Sequence, residues 1–150
     1  MSIFLRLRRR LILIMIKVSI TKQGNYPVKS SVIKKKLADF FVKNGIVSEA
    51  SVSIAIVGEK KMFEVGKKHP TSPELRGASK KLHNVLSFTP SEAKGNFVYT
   101  PDGVIYLGEI IVCFPVAVKE AGVDNVLVNE KVYELIEHGA QHLMGIHHEM

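Results

Sequence analysis

Apolar and polar residues recur along this chain with two periods, and the switches between them lay out strands and helices in alternation. Residues 15–21 (MIKVSIT) alternate and predict a first strand. Ser30 or Ser31 is placed to cap a helix running to Asn44, with Val32, Ile33, Leu37, Phe40 and Phe41 on one face and Gly45 as its stop. Ala50–Val57 alternates like a strand, and Glu59–Gly66 reads as a short helix with Met62, Phe63 and Val65 inward. Residues 67–81 hold two prolines and several polar residues, which predicts a loop. Val85–Phe88 is a short apolar strand. Residues 89–103 are mostly loop, with room for a strand at Phe97–Tyr99. Val104–Phe114 is a strong strand broken in character at Gly108 and Glu109, and two helices follow near 115–122 and 129–144. The pattern predicts an α/β (α+β) fold, a small mixed sheet of about four strands packed with helices.

With 150 residues and 46% hydrophobic content, the chain is long enough for one domain with its own core. Cys113 is the only cysteine, which excludes an intramolecular disulfide and any Cys-rich zinc ribbon. The net charge of +7 is uneven: Arg6, Arg8, Arg9 and Arg10 fall in the first fourteen residues, and the remainder carries 17 basic and 14 acidic groups. The apolar run Leu11–Ile16 stops at Lys17, short of the about 7–15 residues of a signal core and the about 20 of a membrane span. Residues 1–14 therefore read as a flexible basic extension, 15–150 as one domain, and the protein as cytoplasmic with no membrane partner.

Four of the six histidines crowd into residues 138–148. His138 and His142 are i and i+4, which stacks them on one helical face where two imidazoles can grip one ion at ~2.0–2.1 Å each. Gly145 is suited to end that helix, after which the chain can turn His148 back toward the pair; His147 also lies past the turn, and His148 is the preferred third ligand. Three imidazoles would leave a fourth position for water or substrate, the arrangement of a catalytic site. Imidazole suits zinc, nickel, copper or iron, so the residues alone leave the identity of the single expected ion open.

Metzincin proteases share this spacing but carry a glutamate base directly after the first histidine, where this chain has Gly139. Glu137, before it, points about 100° away round the helix. A metzincin-like metallohydrolase acting on peptides is thus the remote alternative.

The run His138-Gly139-x-x-His142-Leu143-x-Gly145-x-x-His148 resembles the H-G-x-L-H-L-x-G-Y-D-H motif of the YbeY family, single-strand-specific metal-dependent endoribonucleases that act as ribosomal RNA maturation factors. Arg76-Gly77 with Asn84-Val85-Leu86-Ser87-Phe88 looks like the family's R-G…D-V-L-S-F segment, and Leu107-Gly108-Glu109-Ile110 like its L-G-D-I segment. Gln141, Ile146, His147, Asn84 and Glu109 depart from the pattern, and the chain stops at Met150. The resemblance, which spans roughly residues 15–148, implies zinc or another divalent ion on His138, His142 and His148, at the C-terminal helix. It also implies action on single-stranded RNA, including the 3′ end of small-subunit ribosomal RNA, and ribosome quality control with the small subunit as partner. A non-catalytic ribosome assembly factor with a structural metal is the alternative.

The family's functional arginine falls on Arg76, which is also the only guanidinium after the N-terminal extension and is chemically suited to clamp a phosphate. Ser87 is a candidate substrate contact, and Glu137 and Glu109 are candidate bases. His69 and His83 read as solvated. Tyr99 and Tyr106 are possible stacking residues, with Tyr106 placed in the core by its strand. Lys34, Lys35 and Lys36 read as a solvated helix face; the alternative is that with Lys60, Lys61, Lys67, Lys68, Lys80 and Lys81 they line one groove along an RNA backbone.

Overall fold

A computed structural model describes residues 16–68, 82–90 and 103–146. The N-terminal extension, Arg76, His69, Lys80, Lys81, the Phe97–Tyr99 segment, His147 and His148 lie outside these residues. In chain order the elements are β1 (Ile16–Lys22), α1 (Ser30–Lys43), β2 (Ala50–Val57), α2 (Glu59–Lys68), β3 (Val85–Phe88), β4 (Ile105–Cys113), α3 (Phe114–Asp124) and α4 (Val128–Leu143). The strands form one sheet in the order β1-β2-β4-β3, with β1, β2 and β4 parallel and β3 antiparallel to β4. The expected mixed four-strand sheet is therefore present.

Alternation along β2 divides the sheet into two faces. Val52, Ile54 and Ile56 meet Ile110 and Val112 of β4 on one face, where Ile33, Leu37 and Phe41 of α1 and Val132, Leu135, Ile136 and Ala140 of α4 close the main core. Val57, Ile111 and Cys113 point the other way, with Leu86 and Phe88 of β3, and pack on Met62 of α2. This division removes one alternative. The α1 lysines (34–36) and the α2 lysines (60, 61, 67 and 68) belong to helices on opposite faces of the sheet, so they do not line a single groove.

The helix ends follow local chemistry. At the end of α1, Gly45 N–H donates to Val42 O at 3.1 Å and Ile46 N–H to Phe41 O at 3.0 Å, a paired closure of the last turn. The start of α1 differs from expectation: Ser30 is already helical and its cap, Lys29, offers no side-chain bond. Asn129 of α4 supplies a tertiary contact instead, its Oδ1 accepting from Lys29 N–H at 2.9 Å. Val32, read as inward, is 44% exposed. Phe63 is half-buried, with the Lys67 ammonium 4.9 Å from its ring centroid.

The break expected in β4 is a bulge within a continuous strand. Ser51 pairs with Tyr106 but Val52 with Gly108, which leaves Leu107 as the extra residue. The bulge shifts the inward–outward alternation of β4 by one residue, and with it the face on which Glu109 lies.

Candidate metal centre

Helix α4 is built to hold two histidines beside the sheet. Its buried positions Val132, Leu135, Ile136, Gly139 and Ala140 recur at helical spacing and fix its rotation, which leaves His138 and His142 on an exposed flank one turn apart. Their Nε2 atoms stand 3.3 Å apart and their ring centroids 4.9 Å apart. Two nitrogens each ~2.0–2.1 Å from one tetrahedral ion are separated by about 3.3–3.4 Å, so the pair has the spacing of two ligands on a shared zinc-like ion. Among the described residues no group of three or more His, Cys, Asp or Glu side chains is arranged to hold a metal. Of the three expected donors, two, His138 and His142, lie among the described residues and stand side by side.

The helix closes immediately beyond. Gly145 N–H donates to His142 O at 3.0 Å and Ile146 N–H to Gln141 O at 2.9 Å, with Gly145 at φ +74°. The expected glycine stop is in place. Gly145→Ala forces an L side chain into the left-handed region and is expected to lower stability by about 1 kcal/mol in chemical denaturation.

Gly139, between the two histidines, is a contact with the sheet. A Cβ there would sit 2.8 Å from Ile110 Cγ2 and 3.5 Å from Val85 Cγ2. A glutamate base, as metzincins carry after the first histidine, has no room at this position. Val85 packs into the α4-side core while Leu86 and Phe88 belong to the α2 side. By alternation Ser87 shares the α4 side, which keeps it as a candidate substrate contact.

A cleft of about 320 Å³ opens beside His138, lined among others by Asn84, Glu120, Lys131, Glu134 and Glu137. Glu137 thus lies in the same cleft as His138. Glu109 does not: it lines a groove on the opposite face with Phe88 and Ile111, which removes it as a base for chemistry at the histidines. His83 is not a solvated loop histidine. It is half-buried, and a Cβ at Gly66 of α2 would come within 3.0 Å of its ring. Tyr106 is half-buried; burial raises its hydroxyl pKa, a hydrogen bond with Ser53 opposes the rise, and the Glu109 charge adds to it.

The sequence reading missed the wall of this cleft. Lys131 is 5% exposed, its ammonium 2.5 Å from Asp124 and 2.6 Å from Glu134. Hydrogen bonds to Asp124 and then Glu134 hold its pKa above the usual lysine range. The signal was available, since Glu134, His138 and Gln141 share one helical face at i, i+4 and i+7. Asn84 donates through Nδ2 to both Glu120 oxygens, at 3.2 and 3.1 Å, and accepts from Val85 N–H at 2.7 Å. This link explains a departure from the family pattern, because the usual aspartate would face the Glu120 carboxylate. Asn84→Asp is expected to lose about 1 kcal/mol at neutral pH and to regain stability as the pH falls through the carboxylate range, read by thermal melts at several pH values.

Among the described residues no helix is long and apolar enough to cross a membrane. The fold resembles the solution structure of a protein from Thermotoga maritima, with a TM-score of 0.53 and 22% identity over 88% of this chain and 75% of that one. Three proteins named endoribonuclease YbeY are similar in sequence. That of Burkholderia lata is 27% identical over 124 residues, 81% of this chain and 62% of its own length. That of Dehalococcoides mccartyi is 28% identical over 130 residues, covering 81% and 77%. That of Sulfurihydrogenibium is 28% identical over 137 residues, covering 86% and 82%. The sequence profile of the family described as endoribonuclease YbeY matches residues 19–150, which include both described histidines and the strands that support them. The chain belongs to the YbeY family.

Proposed function

We propose that this protein is a metal-dependent, single-strand-specific endoribonuclease of ribosomal RNA maturation, acting in the cytoplasm on the 3′ end of small-subunit RNA and in ribosome quality control. The observation that carries the reading is the His138–His142 pair, whose 3.3 Å Nε2 separation suits two ligands of one ion, in a chain of this family. His148 is the third ligand in this proposal, with His147 the competing residue, and Zn2+ the expected ion. When bound, such an ion supplies Lewis acidity toward a water and a phosphate oxygen. The protein's own groups do the rest. Arg76 neutralises the phosphate through its planar fork of donors, and Ser87, on the α4 side of β3, offers a hydroxyl to substrate. Glu137, in the cleft beside His138, is the acidic group best situated to take a proton.

The test is cleavage of single-stranded RNA by the purified chain, with and without a chelator and with Zn2+ restored. Cleavage that is lost on chelation and regained on metal addition supports the proposal, as does an Arg76→Glu variant that keeps metal but cleaves at least about 100-fold more slowly. Binding to small ribosomal particles without cleavage would point to an assembly factor with a structural metal. Peptide cleavage without RNA cleavage would revive the metallohydrolase reading.

A further inference from the structure

The sheet face turned away from the histidines carries a groove of about 310 Å³ between α2 and the strands. Val57, Phe88 and Ile111 give it an apolar floor, Lys61 and Lys68 of α2 form one rim, and Glu109 of β4 forms the other. Lys61 and Lys68 are seven residues apart, two turns along one helix face, and both are exposed. Glu109 is half-buried, its backbone pairs in the sheet, and its carboxylate makes no hydrogen bond or ion pair among the described residues. A carboxylate so placed lacks donors that a ligand can bring. Gly108, one residue earlier, faces Leu143 on the histidine-bearing helix, so the groove and the histidines are backed by the same stretch of β4.

Two cations on one rim, an apolar floor and an acceptor on the opposite rim match the three parts of a nucleotide: phosphate, base face and base edge. Among the four RNA bases, guanine alone presents two adjacent N–H donors, N1–H and N2–H, on its Watson–Crick edge, which a carboxylate accepts in bidentate fashion. We propose that this groove is a single-nucleotide subsite that selects guanine in single-stranded RNA, with Lys61 and Lys68 on the flanking phosphates and the Glu109 carboxylate accepting from the base edge. The inference rests on the ribonuclease reading for its choice of RNA as the polyanion. An acidic peptide, the other polyanion the lysines would attract, leaves Glu109 facing like charge.

The test measures binding of the full chain, with chelator present, to labelled oligouridylate and to the same strand carrying one central guanosine or inosine. The wild-type protein is expected to bind the guanosine strand about 10-fold more tightly than oligouridylate, the worth of about 1.4 kcal/mol. Inosine, which lacks the N2 amine, should recover only part of that gain. Glu109→Gln should bring the ratio close to one without weakening oligouridylate binding. Lys61→Ala and Lys68→Ala should each weaken all three strands alike and reduce the salt slope by about 0.7. Equal binding of the three strands by the wild type, or a guanosine preference that survives Glu109→Gln, would overturn the proposal. So would an acidic peptide that displaces the guanosine strand at the concentration where RNA does. The inosine comparison needs no variant and stands even if Glu109→Gln does not fold. RNA cleavage with no guanosine preference would remove this subsite and leave the nuclease reading, and guanosine-selective binding without cleavage would do the reverse.

Discussion

His138→Ala and His142→Ala are each expected to leave the protein folded, reduce bound metal to well below one ion per chain and slow cleavage of single-stranded RNA by more than about 100-fold. The folding part follows from exposure: both side chains stand on the outer flank of α4, and neither is part of the core that fixes the helix. The metal part follows from geometry. The pair has the Nε2 spacing of two ligands on one ion, so in the proposed centre the loss of either ring would break the chelate. Loss of an outer-shell partner commonly costs 10–100-fold in affinity or activity, and a direct ligand should cost more. His83→Ala is the control. His83 packs on Gly66 of α2, away from the pair, and its loss should leave metal content unchanged. Metal analysis of the three variants beside wild type, with circular dichroism to check folding, decides the point. Full metal content in both His138→Ala and His142→Ala would remove the proposed centre.

The pair was legible because everything that makes it is local. The i, i+4 spacing, the apolar stripe that rotates α4 and the glycine that ends it all lie within sixteen residues and their immediate flank. The strands were legible for the same reason, as alternation within β2 or apolar runs on either side of Gly108 and Glu109 in β4. What failed to show was set by contacts between distant segments. The face of Glu109 depends on the bulge at Leu107, which arises where β4 pairs with β2. Asn129 reaches Lys29 across 100 residues, and Asn84 reaches Glu120 across 36. Lys131 reads as a surface residue from its charge, but the turn between α3 and α4 brings Asp124 beside it and allows its burial. The division of the lysines between two faces followed from the topology and had no local sign.

Gly108 and Gly139 are expected to respond differently to the same added methyl group, and the contrast tests how the sheet carries the histidines. At Gly108, φ is +134°, and a Cβ would stand 2.4 Å from the Phe88 carbonyl oxygen and 2.7 Å from Leu143 Cδ2. The first contact is with backbone in a paired strand, which cannot swing aside without breaking the β3–β4 ladder. Backbone strain of about 1–3 kcal/mol adds to that clash, so Gly108→Ala should cost about 3 kcal/mol or more, a large part of a typical 5–15 kcal/mol stability. At Gly139 the obstacle is Ile110 Cγ2 at 2.8 Å, the end of a side chain. Gly139→Ala in a helix gains propensity but overpacks the contact, for a net loss of about 1–2 kcal/mol. Removing the partner's γ carbons should relieve it: Gly139→Ala with Ile110→Ala is expected to cost less than the two single changes added together, a coupling visible in a double-mutant cycle. No trimming of Leu143 should rescue Gly108→Ala, because the Phe88 oxygen remains. The functional readout separates the two as well. Gly139→Ala shifts α4 on the sheet without altering the spacing within the helix, so metal binding should persist while RNA cleavage falls as the histidines move relative to Ser87. If Gly139→Ala instead loses metal and keeps its stability, α4 is positioned by something other than its contact with Ile110.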